Sequence, residues 1–167
     1  CRGVQYRPKA AFLGPEGSFS HEGVFAAFGG TVDPVPCPSF PDVFAAVDKG
    51  QADWGVVPAE NSLEGTVLPT MDAFASAAKD IVIHNEVSIK VDHVLASEGT
   101  SPEDIREVLS HPQALGQCRE WLRANLPRAE QVPVGSTSAA AAACAGRPER
   151  AAVCSALAAE RCGLSVL

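Results

Sequence analysis

Clusters of basic residues are absent from this sequence, and so is any apolar run long enough to cross a membrane. The 13 Lys and Arg residues are scattered among 20 Asp and Glu, which gives a net charge of −7. Proteins that bind nucleic acid gather Lys and Arg against phosphates, so we expect no nucleic-acid partner. The longest apolar stretches, such as residues 138–145, are far shorter than the roughly 20 residues of a membrane-spanning helix. We therefore expect no membrane partner either.

Several sequence signals of cofactor and metal sites are also missing. The 6 cysteines form no C-x-x-C pair, so a zinc site is not expected. Cys118, Cys144 and Cys154 have apolar neighbours and are predicted to be small buried residues in a reduced, cytoplasmic protein. His21, His84 and His93 have no partners at metal-ligand spacing and are interpreted as structural. The sequence contains no G-x-S-x-G, P-loop or G-x-G-x-x-G motif.

Strand-like and helix-like patterns alternate along the chain, which predicts an α/β fold. Helical spacing and capping residues predict helices over residues 20–28, from Ser39 to Gly50, over residues 112–126 and in the Ala-rich segment that follows. Ser101 and Pro102 predict another helix start. The strand predictions cover residues 9–13, 53–58, 107–110, 130–134 and 151–155. Residues 81–96 are rich in β-branched side chains, and we place a crossing between two lobes near residues 90–92.

One pattern recurs four times: a short apolar strand ends, polar residues follow, and a helix is predicted to begin. The polar positions are Ser18, Glu60, Asn61, Ser62, Ser110, Ser136, Thr137 and Ser138. Ligands of open α/β sheets bind at the carboxyl ends of strands, and helix N-termini offer unpaired N–H groups to anions. The pattern therefore predicts a site for a small anionic molecule. Any single Ser or Thr here is more simply a helix cap that contributes about 1 kcal/mol.

The four junctions resemble, in order, the motifs of the prephenate dehydratase family. The matching segments are residues 13–20 (LGPEGSFS), 57–62 (VPAENS) with 65–67 (GTV), 110–118 (SHPQALGQC) and 136–141 (STSAAA). Together the resemblance extends over residues 9–167. It implies a two-lobed fold like that of type II periplasmic binding proteins, with a ligand cleft between an α/β lobe of residues 9–90 and a second of residues 91–167.

The resemblance also implies an activity. Members of this family decarboxylate prephenate with loss of its ring hydroxyl, giving phenylpyruvate in phenylalanine biosynthesis, and they need no cofactor because aromatisation drives the reaction. By motif, Asn61, Ser110 and Gln117 would surround the reacting ring. The residues expected to bind the substrate are Ser18, Glu60, Ser62, Thr66, Ser136, Thr137 and Ser138. Glu60 would order its loop, because a carboxylate repels a dianionic substrate.

The sequence departs from the family pattern at its end. It contains no Thr-Arg-Phe motif, whose threonine is held to protonate the leaving hydroxyl, and no regulatory ACT domain follows. We therefore expect a truncated form of a homodimeric cytoplasmic enzyme, with little or no turnover. A plant or algal protein would be plastid-located.

Three alternatives remain open. Arogenate dehydratase acts on a close analogue and is not separated from prephenate dehydratase by these residues. A prephenate decarboxylase would keep the hydroxyl, and the intact 60–61 and 113–117 motifs disfavour it. A non-catalytic two-lobe protein that binds small anions is the third.

Overall fold

The computed structural model describes residues 6–62, 65–77 and 80–167. The chain forms two compact units. The first comprises Cys1–Pro15 and Phe19–Ile89, and the second comprises Glu16–Ser18 and Lys90–Leu167. The assignment of residues 9–90 and 91–167 to two lobes stays a prediction. It differs from the two compact units mainly at Glu16–Ser18, which belongs to the second unit. Both units are α/β, which confirms the predicted class.

The first unit is built on a three-stranded parallel sheet in the order β2-β1-β3. Its strands are β1 (Lys9–Leu13), β2 (Asp33–Cys37) and β3 (Trp54–Val56), and its first two helices are α1 (Phe19–Phe28) and α2 (Phe40–Asp48). The sequence-based strand at residues 53–58 shortens to β3. β2 escaped prediction because Pro34 and Pro36 interrupt its pattern; β2 lies at the sheet edge, where a missing N–H is tolerated.

The central strand explains how α1 and α2 cover opposite faces of this sheet. Ala10 and Phe12 pack against Val24 of α1, whereas Ala11 packs against Val43 of α2. Successive side chains of a strand point to opposite faces, so a strand buried on both sides is a continuous apolar run. The predicted cap of α2 is confirmed, because the Ser39 hydroxyl accepts the Asp42 N–H at 3.3 Å.

A small hairpin follows β3 where a direct loop-to-helix junction was predicted. It consists of β4 (Glu60–Asn61) and β5 (Gly65–Thr66), and it leads into α3 (Leu68–Ala77). The fully buried Thr70 donates its hydroxyl proton to the Pro58 carbonyl at 2.6 Å. This bond anchors the start of α3 to the short segment that connects β3 to the hairpin.

The second unit contains a five-stranded mixed sheet in the order β10-β6-β9-β7-β8. The strands are β6 (Val94–Ser97), β7 (Glu107–Ser110), β8 (Glu130–Pro133), β9 (Arg150–Cys154) and β10 (Ser165–Val166). The helices are α4 (Pro112–Gln117), α5 (Arg119–Asn125), α6 (Thr137–Cys144) and α7 (Ala156–Arg161). Strands β7, β8 and β9 run parallel, and β6 runs antiparallel to β9.

Alternating residues of β9 separate two apolar layers in this unit. Ala152 and Cys154 belong to the layer that contains Cys144 of α6, and Ala151 and Val153 belong to the layer that contains Leu122 of α5. The many alanines let helices lie close to the sheet. The predicted burial of Cys144 and Cys154 is confirmed at 0% exposure each, whereas Cys118, also predicted to be buried, is only partly buried.

Four local features differ from what the sequence patterns indicated. The helix expected over residues 112–126 divides at Cys118 into α4 and α5. Helical spacing places Trp121 on the apolar face of that helix with Leu115 and Leu122, but Trp121 is 53% exposed. Ser101 caps a helix start with Pro102 in its first turn, as predicted, but the helix is only the 3-10 turn Pro102–Asp104, since Ile105 already has extended backbone. Within residues 81–96 only β6 is a strand, and the rest lacks regular structure despite its β-branched residues. The remaining predicted strands and helices form close to the expected places.

None of the helices in the described ranges is long and apolar enough to span a bilayer.

Candidate active site

One edge of the second unit's sheet collects most of the predicted site residues. The carboxyl ends of β7, β8 and β9 share this edge because the three strands are parallel. Each strand is followed by a helix that begins there: α4 after β7, α6 after β8 and α7 after β9. Such helix starts present backbone N–H groups and partial positive charge. We call this end of the three parallel strands the carboxyl edge; the term does not refer to the outer strands of the sheet, β10 and β8.

The N-terminus of α6 contains three adjacent hydroxyl residues. The Ser136 hydroxyl caps the helix by accepting the Ala139 N–H at 3.0 Å. Ser138 is 6% exposed, and its hydroxyl has no hydrogen-bond partner within the described part of the chain. Thr137 between them is half-buried. A buried hydroxyl without a partner is unfavourable in the free protein, and such groups call for an explanation.

Gln117 ends α4 with an exposed side chain at the same edge. Because β6 is antiparallel to β9, with Val94 opposite Cys154, β6 begins at the carboxyl edge and His93 lies there too. The His93 Nε2 lies 3.2 Å from the Gln117 Oε1. Two residues separated by 24 positions in the chain thus meet through the topology of the sheet.

Ser18 reaches this edge although its motif precedes α1. The Ser155 hydroxyl donates to the Gly17 carbonyl at 2.9 Å and accepts the Ala158 N–H at 3.0 Å. Gly17 also packs so tightly on α7 that an added Cβ would lie 3.1 Å from the Ala158 Cα. An ion pair between Glu16 and Arg161 adds a third contact. Residues 16–18 are therefore part of the second unit.

Ser110, predicted to act on the reacting ring, is fully buried at the end of β7. Its hydroxyl donates to the Val153 carbonyl at 2.6 Å, so its proton is engaged inside the sheet. The adjacent His111 caps α4, since its Nδ1 accepts the Gln113 N–H at 3.3 Å. The structure gives both residues a local structural role, and the catalytic role of Ser110 stays a prediction.

The remaining predicted residues lie on the hairpin of the first unit. Glu60 pairs with Thr66, and Asn61 pairs with Gly65, in the β4–β5 ladder. The side chains of Glu60, Asn61, Ser62 and Thr66 are exposed. The hairpin is tied at its base by the Val67 N–H, which donates to the Ala59 carbonyl at 2.8 Å. Glu60, Asn61, Ser62 and Thr66 thus lie together on one short, exposed hairpin.

The two fully buried cysteines of this unit do not add nucleophiles to the carboxyl edge. Burial raises the pKa of Cys144 to about 11 and that of Cys154 to about 12. Because the thiolate is the reactive form, both thiols are inert near neutral pH. The part of the chain that the structure describes also contains no group of three or more His, Cys, Asp or Glu side chains placed to hold a metal ion.

Sequence reasoning missed two residues that shape the site, His93 and Ser155. His93 was interpreted as an isolated structural histidine, because its relation to Gln117 depends on the strand order. Ser155 had a usable signal, although the predicted strand of residues 151–155 included it: it precedes an Ala-rich helix, as an N-cap does. Its second bond, to Gly17, joins residues 138 positions apart and has no local signature.

Comparison with known protein families gives one match over nearly the whole chain. The sequence profile of the prephenate dehydratase family matches residues 10–167. The bifunctional chorismate mutase/prephenate dehydratase of Stutzerimonas stutzeri is 39% identical, over 100% of this chain and 46% of its own length. Prephenate dehydratase of Mycolicibacterium smegmatis is also 39% identical, over 96% of this chain and 55% of its own. The chain therefore spans about half the length of these relatives.

Solved structures agree with the sequence comparison. Prephenate dehydratase from Arthrobacter aurescens, solved in complex with L-Phe, superposes with a TM-score of 0.84 at 34% identity, over 95% of this chain and 53% of that one. The Staphylococcus aureus enzyme gives 0.75 at 26% identity, over 95% and 58%. GqqA, described as a novel type of quorum quenching acylase, gives 0.85 at 33% identity, over 95% and 57%. These similarities confirm the expected periplasmic-binding-protein-like fold, and the chain belongs to the prephenate dehydratase family.

Proposed function

We propose that this protein binds prephenate and converts it to phenylpyruvate, CO₂ and water. The observation that carries the proposal is the buried, unpartnered Ser138 hydroxyl at the N-terminus of α6. A substrate carboxylate would give this hydroxyl an acceptor and would also accept backbone N–H groups of the first helical turn. Ser136 and Thr137 would complete the same binding element. No basic side chain is needed for such an interaction, which fits the acidic composition.

The proposed reaction requires little covalent chemistry from the protein. The bond between the ring and its carboxylate breaks, its electron pair enters the ring, and the ring hydroxyl leaves and is protonated to water. Aromatisation makes this downhill, so the contribution of the protein is to orient the dianion and to stabilise the departing oxygen. No cofactor is required in this scheme.

We assign the other roles on the family motifs and on their placement. Gln117, exposed at the carboxyl edge, and Asn61, exposed on the hairpin, would contact the ring substituents. Ser18 and Ser62 would bind carboxylate oxygens, as would Thr66. Glu60 would order the hairpin, since its cross-strand neighbour is Thr66. Ser110 would act as an acceptor, because its proton is held by Val153.

Turnover of prephenate tests the proposal. The purified chain is incubated with prephenate at neutral pH, and phenylpyruvate is followed by its absorbance in alkali against a blank without protein. Turnover above the blank that disappears in Asn61→Ala supports dehydratase chemistry. Parallel incubation with arogenate, measured as phenylalanine, decides the substrate preference. The assay is repeated on a longer chain, because the missing Thr-Arg-Phe motif predicts low turnover here. Saturable binding of prephenate with no product in both chains would support the small-anion-binding alternative, and no binding or turnover in either would overturn the proposal.

Ser138→Ala provides a sharper test of the carboxylate site. Removing a buried hydroxyl that lacks a partner should leave stability unchanged or raise it, because nothing in the free protein loses a hydrogen bond. Prephenate binding, measured by calorimetry, should weaken about tenfold, the loss of about 1.4 kcal/mol of charge-assisted bonding. Ser97→Ala is the matched control. Its buried hydroxyl donates to the Arg150 carbonyl at 2.6 Å, so the control should lose stability and keep affinity.

The bacterial relatives also favour a cytoplasmic protein, and we propose a homodimer for the complete polypeptide. Light scattering of that polypeptide would give the mass of the assembly directly.

A further inference from the structure

We propose that His93 is a positioning residue that fixes the orientation of the Gln117 side-chain amide toward the substrate. The inference rests on the proposed function, because it assigns the direction in which Gln117 acts in that site. It begins from the hydrogen bond of 3.2 Å between the His93 Nε2 and the Gln117 Oε1. No motif of the family resemblance includes His93.

The topology holds the two partners in place. His93 directly precedes β6, whose first residue Val94 is paired with Cys154 of β9. Gln117 is the last residue of α4, whose Leu115 is buried in the layer that also contains Val108 of β7. Both backbones are thus attached to the same sheet. The imidazole has few rotatable bonds and is partly buried, so it constrains a long, exposed side chain that would otherwise sample many rotamers.

The Oε1 of Gln117, and not its Nε2, faces the imidazole, and this placement sets which end of the amide faces outward. A glutamine amide has one acceptor, the oxygen, and one donor group, the NH₂. When the Nε2–H of His93 donates to the Oε1, the oxygen is engaged and the NH₂ group remains to donate. The groups that prephenate offers are two carboxylates, a carbonyl and a hydroxyl, all of which accept hydrogen bonds. With the opposite orientation the amide oxygen would face anionic oxygens and repel them.

The orientation gives Gln117 a role at the step where charge develops. The departing hydroxyl oxygen gains negative charge as its bond to the ring lengthens, and a donor held in place before the reaction stabilises that charge without reorganising. The amide does not transfer a proton; it only donates a hydrogen bond. His93 does not need to touch the substrate, and its contribution passes through Gln117.

A double-mutant cycle separates this role from general structural support. His93→Leu removes the donor and should lower kcat/KM about ten- to a hundredfold, mainly through kcat, the range expected when a reacting group loses its orientation. Gln117→Ala should do the same. The double variant should be no worse than Gln117→Ala alone, because the two residues act as a unit. Losses that multiply would overturn the proposal.

Two conservative variants test the direction of the amide. His93→Gln places an amide nitrogen near the position of the Nε2 and should recover most of the activity lost in His93→Leu. Gln117→Glu keeps an acceptor for His93 but replaces the outward NH₂ with an anionic oxygen, so it should be at least as impaired as Gln117→Ala. Full activity in Gln117→Glu would contradict the proposed orientation.

An NMR measurement distinguishes failure of this inference from failure of the proposed function. The side-chain NH₂ resonances of Gln117, identified by their absence in Gln117→Ala, should show restricted motion in the ¹⁵N heteronuclear NOE of the wild-type chain and free motion in His93→Leu. This result holds whether or not prephenate is the substrate. Restricted motion without prephenate turnover would reject the function and retain the positioning contact, whereas free motion in the wild-type chain would reject the contact itself.

Discussion

Replacing Ser155 with alanine should destabilise the second unit more than loss of an ordinary helix cap. The Ser155 hydroxyl accepts the Ala158 N–H and donates to the carbonyl of the buried Gly17. Loss of the cap costs about 1 kcal/mol, and withdrawal of the donor from a buried carbonyl costs about 1–3 kcal/mol. The expected total is a decrease of about 2–4 kcal/mol in the free energy of unfolding.

The matched control is Ser136→Ala. Ser136 caps α6 with the same geometry, a 3.0 Å bond to the Ala139 N–H, but among the described residues its hydroxyl donates to no distant carbonyl. Its loss should cost about 1 kcal/mol. Urea unfolding followed by circular dichroism measures both variants, and a difference of about 2 kcal/mol corresponds to a Tm difference of about 4–8 °C for a chain of this size. Equal losses would refute the claim that Ser155 holds residues 16–18.

Three further predictions concern burial. The variant Gly17→Ala should lose as much stability as Ser155→Ala in the same unfolding experiment. Gly17 has a φ of +80°, and an added Cβ would lie 3.1 Å from the Ala158 Cα. Unchanged stability would contradict this packing. Burial between Phe12 and Phe25 lowers the pKa of His21. The stability that the neutral imidazole contributes is therefore present above the ordinary pKa of 6.5 and is lost as pH falls through the lowered value. The variant His21→Phe should lose less stability than the wild-type chain between about pH 7 and 5. Burial raises the pKa of Cys154 from 9.0 to about 12, so the stability that the neutral thiol contributes is complete below pH 9 and is lost as pH rises toward 12. The variant Cys154→Ala should lose less stability than the wild-type chain between about pH 8 and 10. A parallel loss of stability in both chains would show that Cys154 is not the cause.

The parts of the fold that were predictable from sequence are those with local signals. β1, β7 and β9 are buried apolar runs, and Ser39 and Ser136 were recognisable as caps because their hydroxyls accept N–H groups within three residues. The parts that failed depend on partners elsewhere in the chain. Residues 81–93 have strand-like composition, but composition does not supply a neighbouring strand, and this segment has no regular structure.

The same distinction applies to the candidate site. The family resemblance identified Gln117, and the polar residues that follow a predicted strand identified Ser136 and Ser138. The motifs could not reveal that the buried Ser110 hydroxyl donates to the Val153 carbonyl, or that His93 contacts Gln117. Both contacts exist because β6, β9 and β7 are neighbours in the sheet. Strand order is a long-range property, and four short motifs do not specify it.

The central claim is that the carboxyl edge of the second unit binds the dianionic substrate, and an NMR titration with prephenate tests it most directly. Backbone amides in residues 16–18, 110–117 and 135–139 should show saturable shifts as prephenate is added. The opposite edge has a cavity of about 430 Å³ lined by Glu98, Asp104 and Glu149 among others, and it should not respond because its carboxylates repel an anion. Shifts confined to that opposite edge, or no saturable shifts anywhere, would contradict the account.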